Sequence, residues 1–358
     1  MTHTEQSTQG TAPVEVNHFP GDTWHFLSIS GTQLQLPSRF DRTQAGDDVP
    51  AALRDSVRAI QTGMGEAFDA AFDELVAKSG GKAVFMESAA GLCVKTLGKL
   101  EITASADEAV AADIVIRARK NSDSSFVLAL KSDEGTSTIG CRVRVLAQEN
   151  ARVHVAVVNL AGEGTKLFAS LGALAESGAT VEVSEVELGG QAVHTGTRVD
   201  LAGSKSRFEG RAFCLVQGGS TLDINQTAVQ RGAMSESRFS VEQVLFEGAS
   251  KSWRGTIDFR RGCAGAVGDE QEDVLLFGER VINKSLPVIL CDEEAVEGRH
   301  GCSIGKVDAG ALFYMGSRGL DEATAKKLIV TGRAARTARY IGDEALEGEI
   351  KARIDTLL

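Results

Sequence analysis

The chain has 358 residues, 42% of them hydrophobic and 24% charged, enough to bury a core in one large domain or two to three small ones. No stretch approaches the roughly 18 uninterrupted apolar residues of a membrane-spanning helix, which argues against a membrane protein. A net charge of -11, from 38 basic and 49 acidic residues, opposes any pervasive nucleic-acid or anionic-lipid surface.

The opening Met1-Thr-His-Thr-Glu-Gln-Ser lacks the basic start and apolar run of a secretory signal, so residues 1–20 are predicted to be a disordered lead and the protein cytoplasmic. A largely helical region follows over 21–80. Within it Leu53, Val57, Ile60, Met64, Phe68, Phe72 and Leu75 recur every three or four residues, with Gly63 and Gly65 expected to weaken or split the helix.

Of the five prolines none lies between Ala51 and Leu286, and glycines punctuate the centre. That suits many short strands joined by tight turns, and a β core is expected over 81–318. From Arg152 the apolar period becomes two, as in Val153-His-Val155-Ala-Val157 and Trp253-Arg-Gly-Thr-Ile257-Asp-Phe259. Strand-like runs begin near 152, 165, 180, 192, 206, 221, 235, 250 and 264, at intervals of 12 to 15 residues. Near-constant spacing without intervening helices predicts a solenoid with two strands per coil, a parallel β-helix. An antiparallel sandwich would need Asn-Gly or Asp-Gly hairpin turns, and the chain has neither dipeptide.

Over 319–358 the pattern returns to helix. A first segment runs from Asp321 with Gly332 as its expected stop, and a second follows Asp343. Leu346, Ile350, Ile354 and Leu357 make a stripe too thin to be a core of its own, so it must dock on the β body or on a partner.

Motifs for enzymatic chemistry are missing. Gly162-Glu-Gly164-Thr-Lys166 lacks phosphate-loop spacing, and neither a nucleophile elbow nor a His-Glu-x-x-His zinc motif occurs. The carboxylates of Asp269-Glu270 with Glu272-Asp273, and of Asp292-Glu293-Glu294, could hold calcium on a solenoid face or be solvated turns. The six cysteines, at 93, 141, 214, 263, 291 and 302, form no Cys-x-x-Cys pair, against a zinc knuckle or a disulfide scaffold. Cys291, His300 and Cys302 are the richest group of soft ligands. If residues 299–303 are extended, His300 and Cys302 project from one face and could both reach an iron, with Cys291 on a preceding strand.

Arg299-His300-Gly-Cys302-Ser-Ile-Gly-Lys-Val-Asp308, followed by Leu312-Phe313-Tyr314-Met-Gly-Ser-Arg-Gly-Leu320, resembles the C-terminal signature of the SufB/SufD family, scaffolds of the SUF iron–sulfur cluster assembly system. Phe246-Glu-Gly248, Arg254-Gly-Thr-Ile257, Asp269–Leu276 and Thr23-Trp24 extend the similarity. SufB-type chains carry Gln-Cys-Asp where this one has Gln271-Glu272-Asp273, and His-Glu where it has His300-Gly301, so the resemblance is to the SufD-type subunit.

The resemblance implies a right-handed parallel β-helix flanked by N- and C-terminal helical regions and a non-enzymatic scaffold role. It implies His300 as a ligand of a transient iron–sulfur cluster shared with a SufB-type subunit, with Cys302 and Cys291 as further candidates, since Cys302-Ser303 replaces the usual Ala-Thr. It also implies a SufC-type ABC ATPase held by the C-terminal helices, through Leu346, Ile350 and Ile354. A cysteine desulfurase and sulfur carrier would act indirectly, and reduced flavin could bind the complex. The alternatives are a scaffold that pairs with itself and, from another class, a polysaccharide-active β-solenoid enzyme.

Overall fold

The computed structural model describes residues 13–20, 29–92 and 96–358; the Thr23-Trp24 motif and Cys93 lie outside the described residues. The N-terminal region combines short strands β1 (Val14–Val16), β2 (Thr32–Leu34) and β3 (Arg42–Thr43), helices α1 (Arg54–Arg58) and α2 (Glu66–Lys78), and strand β4 (Val84–Glu87). Paired strands then follow one another: β5 (Thr96–Ala104), β6 (Ala109–Ala118), β7 (Asp123–Ser132), β8 (Ser137–Ala147), β9 (Arg152–Asn159), β10 (Thr165–Ala175), β11 (Thr180–Glu187) and β12 (Ala192–Leu201). The run continues with β13 (Arg207–Val216), β14 (Thr221–Gln230), β15 (Glu236–Leu245), β16 (Ser250–Phe259), β17 (Val267–Leu276), β18 (Ile282–Cys291) and β19 (Glu297–Lys306). Three helices close the chain, α3 (Ala309–Ser317), α4 (Glu322–Ala338) and α5 (Glu344–Leu357).

Odd strands from β5 to β19 stack into one parallel sheet and even strands from β6 to β18 into another, with β3 and β4 pairing beyond β6. The fold is a parallel β-solenoid of about eight turns with helices at both ends. Inward residues of both sheets form one apolar interior, including Val155, Val183, Phe208, Phe239, Trp253, Ile257 and Phe259. One corner recurs in left-handed conformation at Asn121, Asn150, Gly178, Lys205 and Met234. Each of these N–H groups donates to a carbonyl of the next coil, at 2.9–3.1 Å, so the ladder continues through the turn. Only glycine enters this region freely, and asparagine tolerates it best among the rest.

Strands β6, β7 and β8 escape the period-two pattern because both of their faces are covered. Ala111, Ala112, Ile114, Val115 and Ile116 of β6 are all within 1% exposure, the continuous apolar run typical of a doubly buried parallel strand. On the odd-strand sheet the outer face is covered by α4 and α5. There Leu346, Ile350 and Ile354 are 0%, 2% and 1% exposed and pack with Ala156, Val186, Phe213 and Val244. The stripe therefore docks on the chain's own solenoid, and these three side chains are not free to meet a partner; truncating one such leucine costs about 2–5 kcal/mol.

Other departures from the sequence pattern have local causes. The lead is ordered before residue 20: β1 pairs β2, and Val16 is buried with Met64, Phe68 and Phe72. The helical periodicity over 53–75 is split at Gly63 and Gly65, as their placement predicts, between Arg58 and Glu66, where the backbone docks on the sheet. Gly63 N–H donates to the Leu171 carbonyl at 3.0 Å, and a Cβ at Gly63 would sit 2.1 Å from Gly196. Gly332 does not stop α4, since Val330, Ala334 and Ala338 bury against the sheet and outweigh the roughly 1 kcal/mol cost of a helical glycine. Residues 309–317 are helix rather than the last part of the β core.

Glu187 lies on the interior side of β11, in register with Cys214, and its carboxylate accepts a 2.8 Å hydrogen bond from Asn159 Nδ2. Burial pushes its pKa up to about 8. The folded chain therefore keeps a proton that the unfolded chain releases near 4.5, and stability should fall as pH rises through that window and level off above it. Glu187→Gln is expected to flatten this slope by on the order of 1 kcal/mol per pH unit, read from urea denaturation between pH 5 and 8.

Candidate functional site

Among the described residues no strand caps the last coil of the solenoid. β18 pairs only with β16 and β19 only with β17, so the last coil leaves one open edge on each sheet. Each edge strand has ten residues, and nearly all of β19 is exposed. Unpaired N–H and C=O groups in such a row pair readily with another chain.

Register assigns the inward side of β19. His300 is opposite Glu270 and Cys302 opposite Glu272, and both glutamates are 0% exposed. The Cys302 thiol donates to Glu272 Oε2 at 3.1 Å, so His300 and Cys302 share the interior face, two residues apart, at the solenoid's open end. Cys291 is elsewhere: it closes β18 on the other sheet, opposite Phe259, with its thiol donating to the Glu293 carbonyl at 3.0 Å. Among the described residues no three His, Cys, Asp or Glu side chains converge as a metal cage. The acidic stretch of β17 is split by the pleat, Glu270 and Glu272 facing in, while Asp273 pairs with Arg333 of α4 at 2.7 Å.

Beneath Cys302 lies a buried ion pair. Lys251 Nζ donates to Glu272 Oε1, to Ser285 Oγ at 3.2 Å and to the Lys284 carbonyl at 3.3 Å. Lys251 and Glu272 are each 0% exposed. Burial pulls the Lys251 pKa down, while the Glu272 carboxylate opposes that shift. Burial raises the Glu270 pKa to about 8, opposed in part by a hydrogen bond from the Val288 backbone. For Cys302, burial and then the Glu272 carboxylate push the thiol up to about 11. Glu272 thus joins the Cys302 thiol on one oxygen to the Lys251 ammonium on the other.

Lys251 and Ser285 were not evident from single-strand patterns, although Lys251 stands in phase with inward Trp253, Ile257 and Phe259 of β16. A lysine in an apolar column was the available signal. α3 is the other feature that spacing did not show. It has no buried residue and exposes Phe313 by 80% and Tyr314 by 58%, with Leu328 of α4 at 50%.

The fold and the site together define a parallel β-solenoid with an open, polar end lined by a thiol and an imidazole. The profile described as "SUF system FeS cluster assembly, SufBD core domain" matches residues 101–333. The chain is 24% identical over 194 residues to the iron–sulfur cluster assembly protein SufD of Bacillus subtilis, covering 54% of this chain and 41% of that protein. It is 23% identical over 217 residues to SufD of Escherichia coli, covering 60% and 51%. To SufB of Bacillus subtilis it is 25% identical over 159 residues, covering 44% and 34%. The aligned regions thus span about half or less of these relatives. The chain belongs to the SufB/SufD family of iron–sulfur cluster assembly proteins and is SufD-like.

No helix among the described residues is long and apolar enough to cross a membrane. The raised Cys302 pKa makes a direct prediction. Its alkylation by iodoacetamide, followed by peptide mass spectrometry, should keep accelerating up to about pH 11 instead of levelling off near the pKa of about 8.5 of a free thiol.

Proposed function

We propose that this chain is a SufD-type scaffold subunit, without catalytic activity of its own, that pairs with a SufB-type subunit through the open end of its solenoid. The observation carrying this reading is that two ten-residue strand edges lie bare at the coil where His300 and Cys302 face inward. A partner's strands would complete both ladders, as in β-augmentation, and would cover the imidazole and thiol. The iron–sulfur cluster is the cargo of this site.

One histidine and one adjacent thiol fall short of the four protein ligands that a cluster usually takes, so the partner supplies the remainder. Glu272 stands where SufB-type chains carry their sulfur-accepting cysteine, and Cys302 lies on the neighbouring rung in register. In this reading sulfur arrives on the partner. His300 supplies a borderline nitrogen ligand, and Cys302 adds a thiolate once Glu272 has taken its proton.

The SufC-type ATPase is assigned to α3 and the exposed side of α4 rather than to the buried stripe of α5. Phe313, Tyr314 and Leu328 are large apolar side chains left in water, the composition of an interface centre.

Two substitutions at exposed positions separate the contacts. Ile304 of β19 is 52% exposed at the open end. Ile304→Asp should weaken binding to a SufB-type subunit by roughly tenfold or more while sparing the ATPase. Phe313→Asp should do the reverse. Analytical ultracentrifugation of the three-component mixture reads both, and loss of both contacts from either variant would contradict the assignment. A stable dimer of the chain alone would favour the self-pairing scaffold.

A further inference from the structure

A second polar feature lies far along the solenoid, between the N-terminal helices and the outer face of the even-strand sheet. A cleft of about 320 Å³ is lined by Arg54, Arg58, Lys82 and Arg144, by Asp73 and Asp113, and by an apolar wall that includes Val49, Val57 and Val76. That volume lies at the lower end of the range for small-molecule sites.

The charge balance inside the cleft is unusual for a chain of net charge -11. Both carboxylates are already engaged. Asp113 accepts from Arg142 at 2.8 and 3.0 Å and from Arg144 at 2.9 and 3.2 Å, and Asp73 accepts from Arg142. Lys82 is paired with Asp48 at 2.5 Å. Arg54 and Arg58, four residues apart on α1, are exposed and have no ion-pair partner among the described residues. Arg144 is 7% exposed, and its buried Nε has no acceptor. The Arg144 guanidinium therefore stands at the cleft wall with a donor that Asp113 does not use.

We infer that this cleft binds a small organic phosphate, the anionic group held by Arg54, Arg58 and Arg144 and the body resting on the valine wall. Guanidinium groups match phosphate oxygens in bidentate geometry. The apolar wall distinguishes a phosphate ester from a bare anion.

Calorimetric titration of the full chain with adenosine monophosphate and with inorganic pyrophosphate, in about 0.1 M salt, tests this. The expected result is saturable binding of adenosine monophosphate at one site per chain, tighter than that of pyrophosphate. Arg54→Gln/Arg58→Gln should weaken it by about tenfold or more with unchanged circular dichroism. Arg207→Gln/Arg238→Gln, an equal loss of charge on exposed solenoid positions, should leave it intact. Heats that never saturate, equal weakening by both double variants, or pyrophosphate binding the tighter of the two would overturn the inference.

Discussion

In a parallel solenoid each coil's backbone is satisfied only by the next coil, so a finite stack cannot satisfy its own last rung. Here the two ends are treated differently. At the start, β3 and β4 cover β6, and the edge strand β5 carries Lys99 and Glu101, which pair with Asp343 and Lys131. Such charges blunt an edge against further pairing. At the finish, β19 presents Gly298, Gly301 and Gly305 among exposed residues, and no strand among the described residues pairs with its outer edge. The asymmetry leaves one end blunted and the other open to further pairing.

The interior changes character toward the open end. Its early coils are packed with valine, isoleucine and phenylalanine, whereas the last ones hold Lys251, Glu270, Glu272, His300 and Cys302. A buried lysine–glutamate pair adds little net stability, because desolvation offsets its Coulomb attraction. Its consequence is positional: it fixes Glu272 under Cys302 and keeps a charge-balanced proton acceptor beside a thiol. Glu270, its pKa raised by burial, opposite His300 and Glu272, paired with Lys251, opposite Cys302 give the two candidate ligands different surroundings on a single strand.

Much of this was legible in the sequence because a strand's alternation is a one-dimensional property. Spacing alone showed two-strand coils, and the extended reading of 299–303 put His300 and Cys302 on one side. What it did not show depends on relations between coils or between layers. The Lys251–Glu272–Cys302 contact needs the register of three strands. β6 looks unlike a solenoid strand because α2 and the N-terminal strands bury its second face. The stripe of Leu346, Ile350 and Ile354 announced an apolar helix face, but periodicity cannot say what covers it, and the solenoid itself does. The exposed α3 was visible only as a Leu312-Phe313-Tyr314 motif, with nothing in its spacing to mark it as unburied.

The central claim is that the chain supplies part of a cluster site completed by a second subunit across its open end. Iron and acid-labile sulfide content after anaerobic reconstitution, measured on the isolated chain and on its assembly with a SufB-type subunit, tests it most directly. The account predicts little cluster on the chain alone and a stoichiometric one on the assembly, lost with His300→Ala while the assembly's melting temperature stays nearly unchanged. A stoichiometric cluster on the isolated chain, or an assembly whose cluster survives His300→Ala, would contradict it.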